Sequence, residues 1–133
     1  RERILFGKPI HSLQAIRHRI AEMYVDLAAA RLFTYRGASL RDKGIGSRLE
    51  QSAAKYFTTQ AALRASLHAI HIHGASGDMV EYMPQAYYRF VPLLIAGGGT
   101  DEIMKDTIGG AAIEGSNPVM GANAAEQSGF YVM

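Results

Sequence analysis

The chain has 133 residues, a formal net charge of +2 and no cysteine, which suits one domain with its own core and excludes disulfides, thiolate metal sites and cysteine nucleophiles together. Its basic residues are spread rather than run in a stripe with interleaved aromatics, so nucleic acid is not an expected partner. No apolar run approaches the roughly 18 residues that span a bilayer; at 48% apolar and 20% charged residues the composition is that of a soluble globular protein, with a cytoplasmic location expected.

The chain opens Arg1-Glu2-Arg3 without an initiator Met or a visible signal peptide, which fits a piece of something longer. From Pro9, suited to a first helical turn, Leu13, Ile16, Ile20, Met23, Leu27 and Ala30 recur at three and four spacing. This predicts a long helix to about Asp42, stopped by Lys43-Gly44-Ile45-Gly46, with Arg17, Glu22 and Asp26 off its main stripe. A second long helix is predicted from about Ser47 to Ile72, with Gln60 a polar residue on its apolar stripe, and Gly74-Ala75-Ser76-Gly77 breaks it. Pro84 to Ala96 reads as a short helix that kinks or stops near Pro92. Thr100 is a good N-cap, with Asp101 and Glu102 in the first turn of a last helix that Gly109-Gly110 stops after Ile108. No strand signal competes, so the expected fold is all-α, an up-down helical bundle over residues 1–113. The stretch 114–133 is small, polar and aperiodic, and little structure of its own is expected there.

The triple glycine Gly97-Gly98-Gly99 is neither a Walker loop nor a dinucleotide fingerprint, because no Gly-Lys-Ser/Thr follows it and no strand precedes it. A helix N-terminus behind it can receive an anion; a helix–helix turn without a ligand is the plainer alternative. His68, His71 and His73 cluster near the end of the second helix, but without a carboxylate at zincin spacing, and no metal site is assigned. Histidines there more often satisfy the helix dipole. The tyrosines, Tyr24, Tyr35, Tyr56, Tyr87 and Tyr88, sit on or beside helical stripes and read as packing residues. Arg3, ahead of the first helix, is an anion-binding candidate or a solvated charge.

Three segments in this order resemble the C-terminal helical domain of the acyl-CoA dehydrogenase family. Arg3, Phe6, Gly7, Pro9, Ile10 and Gln14 match its Arg-x-x-Phe-Gly-x-Pro-Ile-x-x-x-Gln signature. HAIHIHGASGDMVEYMP is similar to its Gln-x-x-Gly-Gly-x-Gly segment, followed by Pro84 and Tyr88-Arg89. AGGGTDEIMKDTIG resembles its Gly-Thr-x-Glu/Gln-Ile helix start. The resemblance covers about residues 1 to 110 and implies a flavoenzyme carrying FAD, an oligomer with these bundles at its centre, and oxidation of an acyl-CoA at its alpha-beta carbons. It implies that Arg3 pairs with the FAD diphosphate, that Phe6 and Gln14 line the adenosine side, and that Gly74 and Gly77, with His71 before them, face the cofactor of a neighbouring subunit. Thr100 and Glu102 would touch the cofactor on its polar side.

Three positions depart from the pattern. The family's glutamine before the glycines is His71 here, and its second glycine is Ala75. Many members carry the catalytic glutamate just before the Gly-Thr pair, where this chain has Gly98. In other members the glutamate sits on an earlier helix, which would lie upstream of Arg1, so no catalytic residue is expected in this chain. The resemblance further implies an acyl-CoA substrate, an electron-acceptor flavoprotein as partner, and a bundle left incomplete without an upstream helix, self-associating as a homodimer or homotetramer. The fragment alone is expected to be inactive and to bind FAD weakly or not at all. A flavin monooxygenase or oxidase on the same scaffold, and a non-catalytic helical assembly module, are the alternatives.

Overall fold

The computed structural model describes residues 3–45 and 48–114. The stretch 115–133 and Ser47, the expected start of the second helix, lie outside them. The described residues form a two-residue hairpin, β1 (Ile4–Leu5) and β2 (Lys8–Pro9), a 3-10 turn (Ile10–Ser12), α1 (Gln14–Asp42), α2 (Arg48–His73), a second 3-10 turn (Gly74–Gly77), α3 (Met83–Ala96) and α4 (Asp101–Ile113). The all-α bundle is therefore present. None of its helices is long and apolar enough to cross a membrane.

Four expectations need correction. Pro9 does not open the first helix: it pairs with Ile4 in the hairpin, and α1 begins at Gln14 after the 3-10 turn. The hairpin itself was not anticipated, because strands of two residues are too short to show alternation. Its turn is Phe6-Gly7, both at positive φ (53° and 72°), the geometry of a two-residue type I′ loop. Of the two readings of Pro92, a kink or a stop, the stop is overturned: α3 continues to Ala96, held past the proline by the buried Val91 and by Lys55 Nζ, which donates to the Ile95 carbonyl at 2.8 Å. α4 runs through Gly109-Gly110 to Ile113, its last turns lining a recess with Phe33, Leu49 and Ala53.

α1 and α2 are antiparallel, as their cross-contacts show: Arg19 meets His71, Glu22 meets His68, Asp26 meets Arg64 and Phe33 stacks obliquely on Phe57 at 5.1 Å. Numbers rise on one helix as they fall on the other. Glu22 and Asp26, placed off the apolar stripe by sequence, are thus cross-helix partners. The buried positions of α2 are not its large apolar residues but Ser52, Thr59, Ala61 and Ser66, with Glu50 near its start. Ser52, Thr59 and Ser66 recur every seventh residue. The Thr59 hydroxyl donates to the Lys55 carbonyl at 3.0 Å and that of Ser66 to the Leu63 carbonyl at 2.8 Å, so these two hydroxyls are satisfied within their own helix. What remains facing the neighbours is a small surface against which helices pack closely.

α3 lies beside the C-terminal half of α2 and α4 beside its N-terminal half. At the joint, Lys55 Nζ donates to the Ile95 carbonyl, to the Gly99 carbonyl at 2.7 Å and to Asp101 Oδ1 at 3.2 Å. Gln60 Nε2 donates to Asp101 Oδ2 at 2.6 Å, which accounts for the polar residue on the stripe. Asp101 is only 2% exposed. The turn between the helices places Gly98 and Gly99 at φ 68° and 103°, a region L side chains avoid, and so aims the Gly99 carbonyl at the lysine.

Removing one partner of a buried ion pair leaves the other charge uncompensated. Asp101→Ala is expected to lower stability by about 3 kcal/mol, read from the urea midpoint of the whole protein; a change under about 1 kcal/mol would mean the joint is held by packing alone. The Asp26 carboxyl is held below its ordinary range chiefly by its hydrogen bond from Arg64, and slightly raised by burial. Its folded pKa lies below the unfolded one, so the stabilisation is complete above about pH 4 and is lost as pH falls through the folded value. Arg64 is 47% exposed, so screening keeps the pair to about 1 kcal/mol or less. Asp26→Asn should lower the thermal midpoint slightly at neutral pH, the difference from the parent protein closing as acid protonates the Asp26 carboxylate.

Candidate functional site

The residues singled out from sequence fall into two groups at different points along α2. The first gathers where α2 ends. The Arg3 guanidinium donates to the His73 carbonyl, one of the last carbonyls of α2, which lack partners within the helix. A cation at that end also complements the helix dipole. Gly74, the next residue, turns the chain at φ 63°, and a Cβ there would sit 3.4 Å from the same guanidinium. Arg3 and Gly74 are therefore in contact, and the hairpin brings them together: the Arg3 carbonyl accepts from Ile10 N–H at 2.9 Å.

Phe6 stands at the hairpin tip, 91% exposed and held at positive φ. For a residue of this size that backbone is a costly choice, of a kind that clusters at functional positions. Gln14 is exposed at the first position of α1. His71 is exposed in the last turn of α2, its Nδ1 3.0 Å from an Arg19 terminal nitrogen. Gly77 has a packing reason of its own: a Cβ there would come within 2.6 Å of the Ile70 carbonyl oxygen, so glycine lets the turn close onto α2.

Beside Arg3 lies an apolar recess of about 560 Å³ lined by Ile10, His11, Ile16, Ile20 and Ile72. Sequence reasoning placed Ile16 and Ile20 on a core stripe and missed this opening. The signal was present in the surplus of isoleucines at the start of α1, more than α2 alone covers.

The second group is the N-terminus of α4. Thr100 Oγ1 accepts from Ile103 N–H at 3.5 Å, the N-cap expected of it. Glu102 points outward, its carboxyl held below the usual range by its own backbone N–H and then by the Thr100 hydroxyl. Asp101, between them, turns inward to Lys55. From Lys55 to His73 is roughly 18 residues of helix, about 27 Å. One chain thus presents two partial sites rather than one. Gly98, at the position of the glutamate in many members of the resembled family, carries no side chain and has a positive φ that disfavours one. Among the described residues no group of histidine and carboxylate side chains is placed to hold a metal ion.

The acyl-CoA dehydrogenase C-terminal domain family matches residues 1–113. The chain belongs to the acyl-CoA dehydrogenase family. It is 39% identical over 105 residues to the probable acyl-CoA dehydrogenase YngJ of Bacillus subtilis (strain 168), covering 79% of this chain and 28% of that protein. It superposes with TM-score 0.81 at 33% identity on a glutaryl-coenzyme A dehydrogenase solved with glutaryl-CoA, covering 85% of this chain and 29% of the other. With PigA, solved as an FAD complex, the TM-score is 0.79 at 26% identity, over 86% and 29% of the two chains. The chain therefore spans less than a third of each of these proteins. Members of the family are oxidoreductases, and the resemblance of the three motifs is borne out.

The two glycines of the α2 turn separate by substitution. Gly77→Ala drives a methyl into backbone that cannot swing aside and should cost about 2 kcal/mol or more, whereas Gly74→Ala meets mainly its positive φ and should cost about 1 kcal/mol. Thermal unfolding of both variants tests this order; an equal or reversed loss would show that Gly77 is not set by its approach to Ile70.

Proposed function

We propose that this chain is the FAD-contacting and oligomerising part of an acyl-CoA dehydrogenase that oxidises the alpha-beta bond of an acyl-CoA. The observation that carries the reading is the Arg3–Gly74 contact, which sets a permanent cation against a turn whose positive φ favours glycine. The site suits the cofactor. A guanidinium has five N–H donors, and Arg3 directs one terminal nitrogen at His73, leaving others for a diphosphate. The nearby recess and the exposed ring of Phe6 offer apolar surface for the adenosine side, where Gln14, between Ile10 and Ile16 in sequence, supplies a polar edge. When bound, the flavin supplies the hydride acceptor.

The 27 Å between the two groups supports their use on different cofactors. In this reading Thr100 and Glu102 meet one FAD, while Arg3, His71, Gly74 and Gly77 reach the FAD of a neighbouring copy. Self-association as a homodimer or homotetramer follows, and the outward faces are consistent with it: Tyr24, Leu32 and Tyr35 of α1 are each about 70% exposed, more apolar surface than a monomer usually leaves open. The base that takes the alpha proton comes from outside these residues, since Gly98 offers none. An acceptor flavoprotein would be the partner that takes up the electrons.

The test is the flavin content of the whole protein. It is expected to purify yellow as an oligomer with FAD bound, and Arg3→Ala should weaken FAD binding by about tenfold or more, the loss of a charged hydrogen-bond partner. A colourless protein of full length would overturn the flavoenzyme reading and favour an assembly module. FAD bound equally well by the Arg3→Ala protein would overturn the role of Arg3.

A further inference from the structure

We infer that Arg19 is a positioning residue that fixes the ring of His71, so that its Nε2–H is turned outward as a hydrogen-bond donor to the anionic part of the cofactor. The inference rests on the FAD reading above and adds a residue to it that no motif contains.

The argument begins with protons. A guanidinium only donates hydrogen bonds and does not lose its charge in a protein. One terminal nitrogen of Arg19 lies 3.0 Å from His68 Nδ1 and 3.0 Å from His71 Nδ1. That nitrogen has two hydrogens, one for each ring. Both Nδ1 atoms must then offer lone pairs, and the hydrogen of each neutral ring is on Nε2.

His68 uses its Nε2–H on Glu22 Oε2 at 3.1 Å. His71 has no such acceptor among the described residues, and its ring is exposed in the last turn of α2, the turn whose end Arg3 caps. His73, two residues on, has the opposite arrangement: its Nδ1 lies 2.8 Å from the Ala69 carbonyl, which can only accept. The two histidines of this turn are thus held as opposite tautomers, His73 by its own helix and His71 by a side chain from α1.

The consequence explains a departure from the family pattern. A glutamine at position 71 carries its N–H donors on a terminal amide and needs no help to present one. A histidine presents one N–H, and only when its other nitrogen is engaged does the ring stay turned the right way. Arg19 supplies that engagement. His71 with Arg19 is in this view the equivalent of one glutamine.

The experiment is a double-mutant cycle on the whole protein stripped of flavin and titrated with FAD, with bound flavin read from fluorescence. Arg19→Met is expected to raise the Kd for FAD about fivefold when residue 71 is histidine, and to leave it unchanged when His71→Gln is also present. Arg19→Gln, which keeps two N–H donors, should fall closer to the parent protein and serves if Arg19→Met fails to fold. Equal weakening by Arg19→Met in both backgrounds would show a structural role only and overturn the inference, as would no weakening in either. If none of the proteins, parent included, takes up FAD, the cofactor reading fails first and the inference falls with it.

Discussion

The ammonium of Lys55 holds together a joint that would otherwise come apart. Three elements end there with unmet polar groups: the last turn of α3, the glycine turn, and the first turn of α4. One side chain from the middle of α2 reaches all three. The carboxylate of Asp101 neutralises it, and Gln60 and Thr59 approach that carboxylate in turn. A buried charge is tolerable only when paired and hydrogen-bonded, and here each member supplies what the others lack. The glycines between the helices are best understood from this joint. They are there to bend the chain so that the Gly99 carbonyl faces the lysine.

Much of this architecture was legible in the sequence, and the parts that were not share a cause. Long periodic stripes announce long helices, so α1 and α2 were found nearly to their ends. The cap at Thr100 was found because a threonine before two acidic residues has one common use. What failed were rules about single residues. Pro92 was read as a kink or stop and Gly109-Gly110 as a stop, yet packing on α2 carries both helices through them, since local preference is a small term beside tertiary contact. The true inner face of α2 escaped for the opposite reason. Ser52, Thr59 and Ser66 look like surface residues, and for Thr59 and Ser66 the return bonds to the helix backbone make them fit for burial.

The candidate site shows the same division. Arg3 and Gly74 are 71 positions apart in the chain, and no spacing rule joins them; the family pattern named each as a cofactor contact but not their contact with each other. Their contact depends on a hairpin too short to announce itself. His71 was noted as a departure from that pattern, but its partner Arg19 lies on the other long helix, in no motif. A residue that acts by holding another leaves no mark of its own in a sequence read alone. It becomes visible when antiparallel helices set residue numbers in register across their seam.

Thr100, Asp101 and Glu102 are three successive residues facing three ways: to the helix cap, to the interior and to the outside. Each step along a helix turns the direction by about 100°, so their order is the rotational setting of α4. An insertion among the glycines would disturb the approach of the Gly99 carbonyl to Lys55 while leaving that setting alone. An insertion of one residue after Thr100 would rotate the helix relative to its cap, sending the acid meant for Lys55 toward solvent and aiming its neighbour inward. The glycine loop thus sets where its carbonyl meets Lys55, and the three residues after it set which way α4 faces, where the chain cannot slip by even one.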